Sequence, residues 1–271
     1  MRSYPLSTLL LVLLLASLAD GTSFWSSIRG GGSVATRSRS PPLVIAEDQR
    51  RRATSNNEIV STKLERVVKG FQKVVPRKDI HVGKLLAAFK QMQAFLQDTG
   101  MNQAANTLST NIAKIEDSHR RAPAHERENL SALLRYEIDS GVHQSRGLAE
   151  NSAAMGVVWL CRNLSYQRSM YQLMLEANKT PLEAAQLAFQ KELRPHLHWT
   201  VANVLLAAIK SLTPANHSAF FSKIGGFPEK SYGPDEERAT RRDVQRMIDL
   251  WQPILTHLGQ VFHDLELQGR L

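Results

Sequence analysis

Cysteine is nearly absent from this chain, with one residue, Cys161, in 271 positions. A single cysteine cannot form an internal disulfide or build a cysteine-based zinc site. Because no histidine is near it in the sequence, we predict that Cys161 is a buried packing residue. The composition is otherwise ordinary for a globular protein, at 42% hydrophobic and 22% charged residues, which excludes a wholly disordered or collagen-like chain.

Motifs of catalysis and nucleotide binding are missing as well. The sequence contains no Gly-X-Ser-X-Gly, His-Glu-X-X-His, P-loop or Gly-X-Gly-X-X-Gly pattern. His196 and His198 have the spacing of metal ligands, but no cluster of acids and no cysteine accompanies them. A histidine pair that caps a helix start after Pro195 is the favoured interpretation. We therefore expect no enzyme, no metal and no cofactor.

The net charge of +9 is concentrated at one end of the chain. Residues 1–78 hold 13 Lys and Arg against 5 Asp and Glu, whereas residues 79–271 hold 21 against 20. A basic arm of this kind is typical of a solvated segment or one that contacts anionic membrane. With no nucleic-acid-binding motif beside it, the arm does not predict a nucleic-acid partner.

The longest apolar run lies near the beginning of the sequence, from Leu9 to Ala16. With Arg2 before it and small residues after it, this run predicts a signal peptide over residues 1–19. A signal anchor that is not cleaved is the alternative, although the run falls short of the roughly 20 residues that span a bilayer comfortably. Residues 20–57, rich in Gly, Ser and Arg, are predicted to be a disordered basic linker.

Four Asn-X-Ser/Thr tripeptides favour a secretory route, although such tripeptides often arise by chance. They begin at Asn129, Asn163, Asn178 and Asn216. Asn163 lies in a segment predicted to be a partly buried helix, so this one is not expected to carry a glycan.

Apolar residues recur at helical spacing over residues 58–271, which predicts a single all-α domain. The apolar stripes run over residues 64–75, 85–96, 108–115, 130–138, 153–177, 201–212 and 236–267, and a further helix begins at Pro181. Breaks at Pro76, Gly100, Gly141 and Pro214 separate the stripes. No alternating strand of useful length and no internal repeat are present, so we expect seven or eight helices packed in two layers.

Two helical segments carry polar residues in informative positions. Thr107, Asn111 and Lys114 share one helix face at i, i+4 and i+7, next to an apolar face. Trp159 and Arg162, at i and i+3, could stack on a sugar or bind an oxygen-rich group. A solvated stripe, core packing for Trp159 and a structural ion pair for Arg162 are the alternatives.

The segments together resemble the glycolipid transfer protein family over residues 82–271. The resembling stretches are Thr110–Ile115, Arg135–Gly141, Trp159–Leu164, Leu193–Trp199 and Trp251–Leu255. The resemblance implies a two-layer all-α sandwich that takes up a single sphingolipid. The lipid chains would enter an apolar pocket between the layers while the headgroup stays at the surface. Members of the family move lipids between membranes and change no covalent bond.

The resemblance also implies a headgroup site, with two departures from the family pattern. The residues that would form it are Thr107, Asn111, Lys114, Trp159, Arg162, His196 and His198. The family's headgroup Asp falls at Thr107, and its His falls at Leu197, which His196 and His198 flank. On a continuous helix those two histidines would point about 100° away.

The remaining positions leave the headgroup class open. Where the family's phosphate-binding branch has two Arg, this chain has Met155 and Trp159, which favours a sugar. Lys114 and Arg162 could still hold the phosphate of ceramide 1-phosphate.

We therefore expect a monomer that binds a sphingolipid ligand, contacts membrane surfaces transiently and transfers the lipid. A lipid-sensing module that kept the fold and lost transfer is one alternative, motivated by Thr107 and Leu197. A secreted helical signalling protein is another, although secreted bundles often carry disulfides. The N-terminus predicts the secretory pathway or membrane anchorage, whereas the family resemblance implies the cytosol.

Overall fold

The computed structural model of the protein describes residues 60–76, 78–143 and 147–267. These ranges contain ten α-helices and no strand. The helices are α1 (Leu64–Gln72), α2 (Val82–Asp98), α3 (Asn102–Arg121), α4 (Ala124–Arg127), α5 (Leu130–Asp139), α6 (Ala153–Leu175), α7 (Pro181–Ala188), α8 (Trp199–Leu212), α9 (His217–Gly225) and α10 (Pro234–Asp264). The all-α class is confirmed. The predicted signal segment and linker, residues 1–19 and 20–57, lie outside the described residues.

Local sequence signals explain where several helices begin and end. The Ser152 hydroxyl accepts a hydrogen bond from the Met155 N–H at 3.1 Å and so caps α6. α7 begins with a reciprocal cap between Thr180 and Glu183, followed by Pro181 in the first turn. At the end of α9, Gly226 adopts the left-handed conformation, with φ of 79°, that closes many helices.

Five helices form a closed ring around one apolar core. α1 packs on α2, α2 on α3, α3 on α6, α6 on α10, and α10 back on α1. Trp251 of α10 is fully buried at the centre of the core. Its ring lies 5.7 Å from that of Phe71 in α1, edge to face, and 6.2 Å from that of Tyr171 in α6, stacked. The core thus joins the first and last described helices to the long α6.

Two elements were missed by the periodicity argument. α9 is only nine residues long, yet it buries Phe220, Phe221 and Ile224. A π-helix over Phe189–Leu193 continues α7 and leads into a 3-10 turn over Arg194–His196. A π turn hydrogen-bonds i to i+5 and is an irregularity that apolar spacing does not reveal.

Three apolar side chains on the helices before and after this irregular turn remain exposed. Trp199, the first residue of α8, is 69% exposed, with Leu187 at 48% and Val204 at 37%. None of the helices in the described ranges is long and apolar enough to cross a bilayer.

Candidate functional site

The predicted polar stripe on α3 is largely buried rather than solvated. Asn111 and Lys114 are each 7% exposed, and Thr107 is half-buried. The Thr107 hydroxyl donates to the Gln103 carbonyl at 3.3 Å, and the Asn111 amide donates to the Thr107 carbonyl at 3.1 Å. Burying an amide and an ammonium in a helical domain costs free energy unless both find partners. Because an amide and an ammonium are nevertheless buried here, the stripe is a candidate binding site.

The partner of Lys114 is a residue that the sequence argument did not identify. The Lys114 Nζ lies 2.6 Å from Oε1 of Glu150, in the segment that leads into α6. The Glu150 side chain is 31% exposed and that of Lys114 is 8% exposed. The ion pair therefore places a carboxylate at the boundary between the interior and solvent.

A glycine allows α3 and α6 to cross closely at this point. A Cβ added to Gly156 of α6 would lie 2.8 Å from the backbone oxygen of Asn111 and 3.3 Å from the Cβ of Lys114. Only glycine fits this separation without a shift of one helix. The crossing positions Asn111 and Lys114 one turn from Trp159 on α6.

Trp159 and Arg162 lie together on α6, as their i, i+3 spacing predicted. The Arg162 guanidinium carbon is 4.8 Å from the centre of the Trp159 ring, a cation–π contact. Both side chains are half-buried, and desolvation lowers the pKa of Arg162. The pair presents an indole surface and planar N–H donors at the edge of the core, which suits stacking on a sugar or donation to oxygen atoms.

The histidines near α8 take different positions. Because a π-helix and a 3-10 turn precede them, residues 196–198 do not keep the 100° steps of a continuous helix. His196 is exposed, and partial desolvation together with the positive charge of Arg162 lowers the pKa of its imidazole. Leu197 packs against the core. His198 caps α8 by accepting a hydrogen bond from the Thr200 N–H at 3.4 Å.

Cys161, next to Arg162, is a free thiol. Burial raises its pKa to about 12, so the nucleophilic thiolate is scarcely populated at neutral pH. The side chain is half-buried and packs against the core, so the predicted packing role is confirmed while complete burial is not.

A polar groove of about 950 Å³ runs along the outer side of α3 past Lys114. Hydroxyl and amide groups contribute much of its lining, from Asn106, Ser109, Thr110 and Asn151. Its two guanidinium groups already have partners, since Arg120 pairs with Asp117 and Arg121 bonds to the Ser118 hydroxyl at 3.3 Å.

The structure thus brings most of the predicted site residues to one region. Asn111 and Lys114 meet α6 directly, with Thr107 on the same face of α3, and Trp159 and Arg162 pair with each other further along α6. His196 is exposed in the turn before α8. His198 instead serves as a helix cap. Glu150 and Gly156 were missed, because no sequence spacing links either of them to α3.

The sequence and the fold of this chain can be compared with those of known proteins. The profile of the glycolipid transfer protein (GLTP) family matches residues 80–226. A search of curated protein sequences finds no match. The fold resembles that of the FAPP2 GLTP-fold domain, at 17% identity and a TM-score of 0.59 over 79% of this chain and 97% of that one.

Two further solved structures share the fold. Human ceramide-1-phosphate transfer protein is 14% identical with a TM-score of 0.62, over 77% of this chain and 98% of that one. HET-C2, a fungal glycolipid transfer protein, is 16% identical with a TM-score of 0.55, over 78% and 96%. At these identities, the solved structures show a shared fold only. The family profile, in contrast, matches more than half of the sequence. This chain belongs to the glycolipid transfer protein family.

Proposed function

We propose that this protein binds a single sphingolipid and moves it between membranes as a monomer, without making or breaking a covalent bond. The observation that carries the proposal is the burial of Asn111 and Lys114 where α3 crosses α6, one turn from the Trp159–Arg162 pair. Amide, ammonium, guanidinium and indole groups together suit a lipid headgroup that is rich in oxygen.

The interior supplies the chemistry that lipid chains require. The core between the ring helices consists almost wholly of apolar side chains. A sphingolipid that leaves a bilayer loses about 0.8 kcal/mol of favourable burial for each CH₂ that becomes exposed to water. An apolar protein interior replaces that burial, so the chains would lie among the core helices with the headgroup at the α3–α6 crossing.

Relatives of the same fold support a sphingolipid as the ligand. Human ceramide-1-phosphate transfer protein was solved with ceramide 1-phosphate, and FAPP2 selects simple glycosphingolipids. The ligands of these two proteins differ in the headgroup, either a phosphate or a sugar, and we propose one of these two classes here.

Two residues favour a second candidate, a lipid-sensing module that binds without transferring. Thr107 offers a hydroxyl that is already bonded within its own helix, and Leu197 packs on the core where the family pattern has a histidine. A headgroup site with fewer hydrogen-bonding side chains could bind a lipid and yet not transfer it to a second membrane.

A vesicle assay separates the two candidates. Fluorescent glucosylceramide and ceramide 1-phosphate are each loaded in donor vesicles, and arrival in acceptor vesicles is followed with the full chain and with Trp159→Ala and Trp159→Phe. Transfer of either lipid supports the proposal, and Trp159→Phe should retain more glucosylceramide transfer than Trp159→Ala. Uptake without transfer favours the sensing module, and the absence of both uptake and transfer contradicts both candidates.

We further propose that the N-terminal segment directs the chain to the secretory pathway or anchors it to a membrane, with the cytosol as the alternative. Three of the four predicted acceptors, Asn129, Asn178 and Asn216, are exposed, whereas Asn163 is half-buried in α6. A shift in gel mobility after glycosidase treatment would support the secretory route, and unchanged mobility would favour the cytosol.

A further inference from the structure

Tyr166 is a half-buried tyrosine on the face of α6 that carries Trp159 and Arg162. It lies one turn beyond Arg162 and two turns beyond Trp159, about 10 Å from Trp159 along the helix axis. Desolvation raises the pKa of its phenol, so this group is largely withdrawn from water and stays neutral at physiological pH. A neutral phenol can both donate and accept a hydrogen bond.

The hydroxyl of Tyr166 is not used by the fold. None of the residues that the structure describes forms a hydrogen bond with it. The next hydroxyl on this side of α6 is engaged, since Ser169 donates to the Glu192 carboxylate of the π-helix at 2.6 Å. A hydroxyl that is withdrawn from water without a partner costs free energy. Tyr166 therefore offers a hydrogen-bonding group that a ligand could satisfy.

The position of Tyr166 along α6 relates it to one part of the lipid. Near its start α6 crosses α3 at Gly156, and further along Tyr171 stacks on Trp251 at the centre of the core. A lipid with its headgroup at the crossing and its chains in the core would pass Tyr166 between these two points. The amide that joins headgroup and chains would lie near the level of Arg162. Tyr166, one turn deeper, would meet the first carbons of the chains.

Chains with and without a hydroxyl group at this level differ in what they offer to the phenol. An unsubstituted chain leaves the phenol unpaired. A hydroxyl beside the amide, on C2 of the acyl chain or on C4 of the sphingoid base, can donate to the phenol and accept from it. A site with such a group discriminates against a ligand that lacks the matching hydroxyl, because its own polar group then stays without a partner.

We propose that Tyr166 is a specificity-determining residue for the lipid chains and that it favours ceramides with an additional hydroxyl group beside the amide. This inference rests on the proposed function and refines it. It concerns the chains rather than the headgroup, so it holds for either headgroup class.

Competition between matched lipids tests the inference in the full chain. The protein is incubated with vesicles that contain equal amounts of two lipids with the same headgroup and chain length, one with a 2-hydroxyacyl chain and one without the hydroxyl. Native mass spectrometry gives the ratio of the two bound lipids. A second pair compares a 4-hydroxysphinganine base with sphinganine. Each pair is prepared both as glucosylceramide and as ceramide 1-phosphate.

Two variants each remove a single hydroxyl. Tyr166→Phe removes the group in question and keeps the ring. Tyr136→Phe is the matched control, because Tyr136 is also half-buried but lies on α5, where its hydroxyl donates to the Arg121 carbonyl at 3.4 Å. The melting temperature of each lipid-free variant is measured beside the binding ratio.

We expect the wild-type chain to bind the hydroxylated lipid of at least one pair about fivefold over its partner, the size of one hydrogen bond between neutral groups. Tyr166→Phe should bind both lipids of that pair equally, and Tyr136→Phe should keep the wild-type ratio. The melting temperature of lipid-free Tyr166→Phe should not fall below that of wild type, because the removed hydroxyl has no partner to lose.

Three results would overturn the inference, and they differ in what else they affect. Equal binding of both lipids in every pair by the wild-type chain, or a preference that survives in Tyr166→Phe, overturns the role of Tyr166 and leaves the proposed function intact. A lower melting temperature of lipid-free Tyr166→Phe would show that the hydroxyl has a partner within the protein, with the same consequence. A chain that binds none of these lipids overturns the proposed function and this inference with it.

Discussion

The carboxylate of Glu137, at the end of α5, accepts a hydrogen bond from the backbone N–H of Ala153, 2.6 Å away in the first turn of α6. Its second oxygen accepts from the N–H of Ala154 at 3.0 Å, and the Ser118 hydroxyl of α3 donates to the same carboxylate. Glu137 is almost completely buried. A negative charge at a helix N-terminus is favourable. The hydrogen bonds of Glu137 also connect α5 to α3 and to α6.

Replacing Glu137 should therefore destabilise the whole domain. In Glu137→Ala two buried backbone N–H groups lose their acceptor, at about 1–3 kcal/mol each, so we expect the free energy of unfolding to fall by about 2–4 kcal/mol. Urea denaturation measures this change. Glu176→Ala, an exposed residue at the end of α6, is the control and should change stability by less than about 0.5 kcal/mol. A loss below 1 kcal/mol in Glu137→Ala would contradict the structural role.

The close crossing of α3 and α6 gives a second prediction. Gly156→Ala places a Cβ against the Asn111 backbone, and we expect a loss of about 1–3 kcal/mol from overpacking, with reduced lipid transfer. Gly259→Ala in α10 is the matched control, because apart from its own turns of helix no atom lies within 4 Å of its added Cβ. Since alanine favours helix more than glycine does, this control should gain up to about 1 kcal/mol. A stabilised Gly156→Ala protein would contradict the tight crossing.

The effect of the Arg162 charge on His196 can be tested by titration. The pKa of His196 should lie below its ordinary value, because desolvation and the Arg162 charge both disfavour the imidazolium. Removal of that charge in Arg162→Gln should raise the pKa, which NMR of the imidazole signals measures. Arg120→Gln, on the outer side of α3, should leave the pKa of His196 unchanged. A His196 pKa that is indifferent to Arg162→Gln would place the imidazole outside the site.

The same pKa direction has a small consequence for stability. A histidine whose pKa is lowered in the folded protein binds fewer protons there than in the unfolded chain. His196 therefore disfavours the folded state once the pH falls below its unfolded pKa of about 6.5 and has no such effect at neutral pH. Its exposed position keeps this contribution small.

The exposed apolar side chains of α7 and α8 predict where the protein touches membranes. Trp199, with Leu187 and Val204 exposed nearby in sequence, would bury its indole in the bilayer interface. Trp199→Ala should weaken binding to phosphatidylcholine vesicles about tenfold, as loss of one buried large side chain implies. Val75→Ala, an exposed apolar residue after α1, is the control and should bind as wild type does. Equal binding of Trp199→Ala and wild type would exclude this contact.

Much of the helical architecture could be predicted because its signals are local. Apolar stripes and breaks at Pro76, Gly100 and Pro214 place most helices to within a few residues. The last helix was expected from about residue 236, and α10 starts at Pro234 and continues through Pro253, which lies on the exposed side. The short α9 escaped because nine residues hold too few apolar repeats to establish a period.

The site was only partly predictable, for a physical reason. Thr107, Asn111 and Lys114 share a face through helix geometry alone, as do Trp159 and Arg162 through i, i+3 spacing. The Lys114–Glu150 pair joins residues 36 positions apart and depends on how α3 crosses α6. The place of His196 depends on a π turn, which breaks the regular 100° steps on which the sequence argument relied.

Native mass spectrometry of the chain after incubation with sphingolipid-containing vesicles tests the central claim most directly. We predict a mass increase equal to one sphingolipid for each chain, with glucosylceramide bound in preference to a diacyl phospholipid, and lower occupancy in Lys114→Met. A chain that stays at its unliganded mass with glucosylceramide and with ceramide 1-phosphate would contradict sphingolipid binding.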